Sequence, residues 1–194
     1  MAGPITVAAV AATVKSKFQN PNYKQIPKSK FLRGIKDSKQ LSAIQREEWK
    51  RKIYSAPFFK TSISSVGAEI IDRIGISNAA RLAVGRCLKK LNSRREIRNP
   101  NFGFRILLDG SLYAPRTYLN QETIIKGDEK IPLIAAASII AKVHRDKKMM
   151  RLHKKFPQYG FDAHKGYGTK VHIAAIKKHG LSAIHRRSFS SKFA

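Results

Sequence analysis

The sequence predicts a single α/β domain in which helices pack over a mixed β-sheet. Short segments rich in β-branched residues, which are typical of strands, alternate with stretches in which apolar residues recur at helical spacing. The length, 194 residues, is enough to bury one hydrophobic core and too short for two ordinary ones. One domain over residues 1–194 therefore accounts for the whole sequence.

The first third of the chain is predicted to contain a strand, a loop and a helix. Residues 4–14 are β-branched and apolar, which indicates a strand that begins at a proline. Residues 15–36 carry basic side chains among Asn and Pro turn residues, so we expect a basic loop or insertion there. Ser42 is placed to cap an amphipathic helix that contains Trp49.

Two further elements follow in the middle of the chain. Residues 58–66 alternate between apolar and polar side chains, which predicts a second strand. Residues 68–91 place apolar side chains at helical spacing with Gly75 between them, which predicts one long or bent helix.

The second half is predicted to contain two short strands and then a helical region over residues 131–194. The strands lie within residues 102–110 and 123–128, and each has glycine and aspartate close to its end. Pro132 opens a long helix, because proline is tolerated in a first helical turn. A glycine-rich aromatic loop follows at 157–170, and a last helix ends at Gly180.

The charge of the chain indicates a polyanionic partner. Lys and Arg number 39 against 12 Asp and Glu, which gives a formal charge of +27. Such an excess repels itself unless an anion such as nucleic acid neutralises it. The single cysteine, Cys87, excludes an internal disulfide framework and suits a reducing compartment. No leader peptide or membrane span is recognisable in the sequence, so we expect a cytoplasmic protein.

Two aspartates are candidate metal ligands. Asp109 lies near the end of the apolar segment "RILLDG", and Asp128 lies at the end of the next predicted strand or just beyond it. Carboxylates that converge repel each other unless cations separate them, and hard oxygen ligands favour Mg²⁺ or Mn²⁺. The alternative is that each aspartate caps the turn or helix that follows it.

A second candidate site is the loop "HKGYGT". Lys165 and Tyr167 offer a cation and an aromatic ring in a glycine frame, which can approach a phosphate and stack on a base or a sugar. Tyr167 could equally be a packing residue. Five histidines show no metal-ligand spacing and are expected at the surface or in the core: His144, His153, His172, His179 and His185. The basic segment "HRRSF", which contains Arg186, is either a binding patch or a solvated tail.

Six segments in combination resemble bacterial ribonuclease HII from Ala2 to about Phe189. They are "GIKDSKQLS", "EIIDRIGI", "LLDG", "IIKGDEKIPLIAAASIIAKVHRD", "FPQYGFDAHKGYGT" and "IHRRSF". The resemblance implies an RNase H-like fold and hydrolysis of the RNA strand of RNA/DNA hybrids, including nicking of duplex DNA 5′ of single embedded ribonucleotides. It also implies four carboxylates that bind Mg²⁺ or Mn²⁺.

The resemblance assigns roles to particular residues. Two of the four acids correspond to Asp109 and Asp128, Tyr167 to a tyrosine that stacks on the sugar at the RNA–DNA junction, and Lys39 to a lysine near the substrate backbone. The expected substrate-binding residues are Lys39, Lys165, Tyr167 and Arg186. The protein is expected to be a monomer.

One family motif has no counterpart in these 194 residues. The family begins with a central strand that ends Asp-Glu-Ala-Gly-Arg-Gly and supplies the other two acids, whereas "MAGPITVAAV" matches the segment that follows it. We therefore expect the first, central strand to be missing and this chain alone to be inactive or weakly active. The alternative is a non-catalytic basic protein that binds nucleic acid.

Overall fold

The computed structural model describes residues 1–12, 31–92 and 105–194, which contain both strands and helices. The strands are β1 (Ile5–Ala12), β2 (Phe59–Val66), β3 (Ile106–Asp109) and β4 (Gln121–Ile124). The helices are α1 (Ala43–Ser55), α2 (Ala68–Ile74), α3 (Ile76–Asn92), α4 (Gly127–Lys130), α5 (Pro132–Lys155), α6 (Phe161–His164), α7 (Lys170–His179) and α8 (Arg187–Ser190). The prediction of an α/β fold with a helical C-terminal region is confirmed.

The four strands form two separate ladders. β1 pairs with β2 in antiparallel register, with Ile5 opposite Val66. β3 pairs with β4 in parallel register, with Ile106 opposite Gln121. Within the described residues no ladder joins β1 to β3, so antiparallel and parallel pairing both occur but not in one continuous sheet.

The long helix α5 holds the two ladders in one body. It packs against β1 and α1 and also reaches β3. Ile139, Ile140 and Met149 on this helix are completely buried, each in a different cluster of the core. Val7 of β1 packs on the same apolar cluster as Leu108 of β3, so the ladders share a core although they do not pair.

Several predicted element boundaries are confirmed by local chemistry. The Ser42 side chain accepts a hydrogen bond from the backbone N–H of Gln45, and the Gln45 side chain accepts one from Ser42 in return, which is a capping box. Pro132 lies in the first turn of α5, and α7 ends at Gly180 as expected.

Other boundaries differ from the prediction. The segment 68–91 is two helices rather than one, because Gly75 between them has φ of +77°. β4 ends at Ile124, before a left-handed residue, Lys126, so Asp128 belongs to the short helix α4 and not to a strand.

The loop predicted at 157–170 is more ordered than expected. It contains a 3₁₀ turn at Pro157–Tyr159 as well as α6, and the buried rings of Tyr159 and Phe161 stack on each other there. Of the predicted basic loop, residues 15–30 lie outside the described residues, and residues 31–34 form a turn whose Leu32 is buried. No helix in the described parts of the chain combines the length and the apolarity needed to cross a membrane.

The C-terminal segment is attached to the rest of the fold through Asp72 of α2. Its carboxylate accepts hydrogen bonds from the backbone N–H groups of Arg187 at 2.7 Å and Ser188 at 3.0 Å, and from the Ser188 hydroxyl. Burial alone raises the pKa of Asp72, but these hydrogen bonds outweigh it, so the pKa is lowered. Asp72 therefore caps α8 in its charged form.

We expect Asp72→Ala to lower the free energy of unfolding by about 1–2 kcal/mol at neutral pH, the usual cost of losing a helix cap. Because the folded-state pKa is lowered, this stabilisation is present above the ordinary pKa of aspartate and is lost as the pH falls through the folded-state value. Urea unfolding across this pH range measures it. Glu69→Ala on the same helix is the control, and an equal loss of stability in both variants would contradict the assignment.

Candidate functional site

The parallel pairing of β3 with β4 brings Asp109 and Asp128 together. Asp109 is the last residue of β3, and α4 begins shortly after the neighbouring strand ends. The Oδ1 atom of Asp109 accepts hydrogen bonds from the backbone N–H of Gly127 at 2.8 Å and, more weakly, from that of Asp128 at 3.4 Å. The two aspartates that the sequence singles out are therefore neighbours at one end of the β3–β4 ladder.

These hydrogen bonds also make Asp109 a cap, which is the alternative role that the sequence left open. Its Oδ1 atom satisfies the first N–H groups of α4, which carry partial positive charge. Both bonds use the same oxygen, so they leave Oδ2 for another ligand. Capping and metal binding are thus compatible in one side chain.

A third aspartate, Asp37, joins this cluster from the loop before α1. Asp37 and Asp128 are both buried, with 5% and 7% of their surface exposed. The Lys39 ammonium lies 3.9 Å from Asp37 Oδ2 and 3.8 Å from Asp128 Oδ2 while remaining exposed. Lys39, expected near the substrate backbone, is therefore also the counter-charge of the acidic cluster.

The electrostatics of this cluster favour a cation. Burial, and after it the neighbouring carboxylates of Asp109 and Asp37, raise the pKa of Asp128, and Lys39 opposes the shift only in part. A positive ion at this point would relieve the repulsion. Even so, no three His, Cys, Asp or Glu side chains are placed to hold a metal ion together within residues 1–12, 31–92 and 105–194.

The second predicted site forms an exposed aromatic and basic surface. The Tyr167 side chain is 54% exposed, and its ring lies 4.8 Å from the guanidinium carbon of Arg145 and 5.4 Å from the ammonium of Lys142. The backbone of this loop passes close to Ala2 at Gly166, which has φ of +79°. Glycine is needed there because a Cβ would lie 2.6 Å from the carbonyl oxygen of Ala2. About half of Tyr167 is therefore exposed and accessible to a ligand, while its ring also contacts Lys142 and Arg145.

The two other predicted substrate residues have internal partners. The Lys165 ammonium donates to the carbonyl of Asp162 in its own loop. Arg186 is buried, and its Nε atom donates to the carbonyl of Gly3 at 2.9 Å. Burial, followed by the nearby Arg145, lowers the pKa of Arg186. The segment "HRRSF" is therefore not a solvated tail.

Helix α5 connects the acidic cluster to the Tyr167 surface. Near its start, Ser138 lies at hydrogen-bond distance, 3.0 Å, from Ser38 in the loop that carries Asp37. Lys142 and Arg145 follow 4 and 7 residues later, a rise of roughly 6 and 10 Å along the helix axis. One rigid element therefore sets the spacing between the two sites.

The sequence reasoning overlooked part of this arrangement. Asp146 of α5 accepts a hydrogen bond from Lys142 of the same helix at 3.0 Å. It also lies 3.7 Å from Arg46 of α1, which donates to the carbonyls of Ser38 and Leu41. The sequence does contain a signal for this arrangement. Lys142, Arg145 and Asp146 are spaced i, i+3 and i+4, which places all three on one face of α5.

Hydrolases that act on nucleic acid typically combine two features found in this α/β fold. One is a set of carboxylates at the end of a strand, and the other is a basic surface with an exposed aromatic ring. Comparison with known proteins identifies the family. The family model for ribonuclease HII matches residues 1–192. A ribonuclease HII from Endomicrobium trichonymphae is 41% identical over 188 residues, which is 97% of this chain and 80% of that protein. The chain belongs to the ribonuclease HII family, whose members are endoribonucleases of the RNase H type.

Solved structures agree with this assignment. The structure of the PCNA:RNase HII complex from Archaeoglobus fulgidus matches with a TM-score of 0.64 and 26% identity, over 98% of this chain and 88% of that chain. The ribonuclease H2 from Pyrococcus horikoshii matches with a TM-score of 0.62 over 97% and 96% of the two chains, at 24% identity. The fold is therefore RNase H-like.

Proposed function

We propose that this protein cleaves the RNA strand of RNA/DNA hybrids and nicks duplex DNA on the 5′ side of embedded ribonucleotides, by divalent-metal-dependent hydrolysis. The observation that carries the proposal is the pairing of Asp109 with Asp128 in a chain of the ribonuclease HII family that also exposes the ring of Tyr167. Its cellular role would be the excision of ribonucleotides from DNA, carried out by a cytoplasmic monomer.

The proposed metal is Mg²⁺ or Mn²⁺, held by Asp109 and Asp128. Oxygen ligands suit both ions, and a cation would offset both the burial and the carboxylate repulsion that raise the pKa of Asp128. A structural neighbour, Bst-RNase HIII, was solved in complex with Mn²⁺; it shares 22% identity and has a TM-score of 0.58. When bound, such an ion activates water and stabilises the leaving oxygen of a phosphodiester.

The proposed substrate surface consists of Lys39, Lys165, Tyr167 and Arg186. Lys39 is exposed beside the acids and can reach a phosphate once a metal neutralises them. Tyr167 can stack on the sugar at the ribonucleotide, because its ring is exposed. Lys165 and Arg186 would act mainly through the positive potential that they add, since each already donates to a backbone carbonyl.

We further propose that one more strand, ending in the motif Asp-Glu-Ala-Gly-Arg-Gly, completes this site between β1 and β3. All eight residues of β1 are only half-buried, although the strand is apolar. β1 pairs with β2 and β3 with β4, so each has an edge on which the described residues form no ladder. A strand there would pair those backbone groups and bring two acids next to Asp109 and Asp128.

The second candidate function is a basic protein that binds nucleic acid without cleaving it. The formal charge of +27 favours binding, and the acidic cluster of the described residues offers too few ligands to fix a metal ion by itself. The two functions differ in whether divalent ions bind specifically at Asp109 and Asp128.

We expect Mn²⁺ to bind the 194-residue chain weakly, mainly through its own water shell, with contacts to Asp109 and Asp128. Paramagnetic broadening of backbone NMR signals should be greatest around residues 109 and 128, and Asp109→Asn and Asp128→Asn should each reduce it. Glu129→Gln is the matched control, because Glu129 is the neighbouring acid in α4 and pairs with Lys126 instead. Broadening that is spread evenly over the acidic residues would favour the non-catalytic alternative.

A further inference from the structure

The Tyr167 loop rests on a cluster of buried histidines that the proposed function does not use. His172 of α7 is completely buried and His185 is 2% exposed. The Nδ1 atom of His172 lies 2.8 Å from the carbonyl oxygen of Tyr167. The Nε2 atoms of the two histidines lie 3.0 Å apart. The Nδ1 atom of His185 lies 3.0 Å from the backbone nitrogen of Ser182 and 2.8 Å from its hydroxyl.

These contacts allow only one arrangement of protons. A carbonyl oxygen only accepts, so Nδ1 of His172 carries a proton and, in the neutral ring, its Nε2 is an acceptor. At the other end, a backbone N–H only donates, so Nδ1 of His185 is an acceptor and its Nε2 carries the proton. Both ends therefore require the same central bond, in which His185 Nε2–H donates to His172 Nε2.

We propose that His172 and His185 are positioning residues, which hold Tyr167 in its substrate-binding position through this directed chain of hydrogen bonds from Ser182 to the Tyr167 carbonyl. The inference rests on the role proposed for Tyr167 in contacting the nucleic acid. Neither histidine touches the substrate. Each acts through the backbone of Tyr167, whose N–H donates to the carbonyl of His164 at 2.9 Å.

The surroundings keep both rings neutral. Burial is the main cause that lowers the pKa of His172, to about 4, and it also lowers that of His185. The groups that face them add to this effect: the α-amino group of Met1 and the ring of His164, which stacks on His172 at 4.4 Å. On the remaining sides lie the rings of Phe161 and Tyr159.

Protonation of either ring breaks the chain. A second proton on His172 would place two N–H groups against each other, and a second proton on His185 would face the N–H of Ser182. Because the folded-state pKa of His172 is lowered, the ordered loop is stable above the ordinary histidine pKa and loses stability as the pH falls from there towards about 4.

The first test is direct observation of the protons by ¹⁵N NMR of the imidazole rings at neutral pH. We expect a neutral Nδ1–H tautomer for His172 and a neutral Nε2–H tautomer for His185. The opposite tautomers, or a charged ring, would overturn the proposal. This measurement involves no nucleic acid, so its result does not depend on the proposed function.

The second test is a double-mutant cycle on the affinity for a duplex that contains one ribonucleotide. We expect Tyr167→Ala to weaken binding by about 5- to 150-fold, the range for loss of one stacking contact. His185→Leu should weaken it in the same direction, and adding it to Tyr167→Ala should have no further effect, because it acts through that ring. His185→Gln keeps a donor at the Nε2 position and should restore most of the affinity.

His179→Gln is the matched control, because His179 lies on the same helix α7 but is exposed and forms no part of the chain. Additive losses in the double variant, or equal losses for His185→Gln and His185→Leu, would overturn the positioning role. Thermal unfolding identifies variants that fail to fold, and for those the tautomer measurement decides. If Tyr167→Ala itself leaves the affinity unchanged, the substrate role proposed for Tyr167 is wrong, whatever the tautomers are.

Discussion

We expect the 194-residue chain, given Mg²⁺ or Mn²⁺ and a duplex with one embedded ribonucleotide, to show negligible nicking. With Asp109 and Asp128 as the proposed ligands, water would hold most positions around the ion, so neither the attacking hydroxide nor the leaving oxygen would have a fixed geometry. The same chain fused behind a segment that ends Asp-Glu-Ala-Gly-Arg-Gly should nick the duplex at least about 10³-fold faster, since ordered metal ions lower the barrier by several kcal/mol. Single-turnover gel assays of both proteins measure this difference.

The control for this comparison is the same fusion with the Asp-Glu pair replaced by Asn-Gln. It would supply the proposed strand between β1 and β3 without its carboxylates, so it should fold as well as the active fusion but remain inactive. Robust metal-dependent cleavage by the unextended chain would contradict the ligand argument. Another acid would then supply the missing metal ligand. The candidates are Glu69 and Asp37, and Asp37 lies beside Asp128.

We also expect the unextended chain to bind nucleic acid, with an affinity that falls steeply as salt is added. The formal charge of +27 and the cations that pack around the exposed ring of Tyr167 imply contacts with many phosphates, each of which releases counterions. For roughly 6–10 phosphate contacts, the affinity should fall about 10³- to 10⁵-fold between 50 and 200 mM salt. Titration of a labelled duplex by fluorescence anisotropy measures the slope.

The same titration separates binding from cleavage. Asp128→Asn removes one negative charge from the cluster, so it should leave binding unchanged or tighten it slightly. Lys142→Gln should weaken binding and make its salt dependence shallower, because it removes one cation at the Tyr167 surface. An affinity that hardly changes with salt would contradict the electrostatic account.

The sequence predicted the types of the secondary-structure elements better than the contacts between them. Local chemistry determines the capping box at Ser42 and the helix starts and stops at Pro132 and Gly180, so these were predictable. The division of the strands into two ladders was only partly predictable. It depends on which strand edges meet in space, and the only indication in the sequence came through the family resemblance, which led us to expect that the family's first strand is missing.

Within the candidate site, long-range contacts were the least predictable. The motif containing Lys39 indicated a substrate contact, but the sequence could not show that Asp37 and Lys39 meet Asp128, about 90 residues away. The histidines are similar. His172 and His185 were expected only to be core or surface residues, because the bond between them forms across two separate segments. The spacing of these two histidines in the sequence does not indicate that their side chains are in contact.

The central claim, that Asp109 and Asp128 hold the metal of a ribonuclease, is tested most directly by mapping the nick in the fused chain and in its Asp128→Asn variant. We expect Mn²⁺-dependent cleavage on the 5′ side of the ribonucleotide that leaves a 3′-hydroxyl, and a loss of rate of about 10³-fold or more in Asp128→Asn but not in Glu129→Gln. Equal cleavage rates for Asp128→Asn and Glu129→Gln would contradict it.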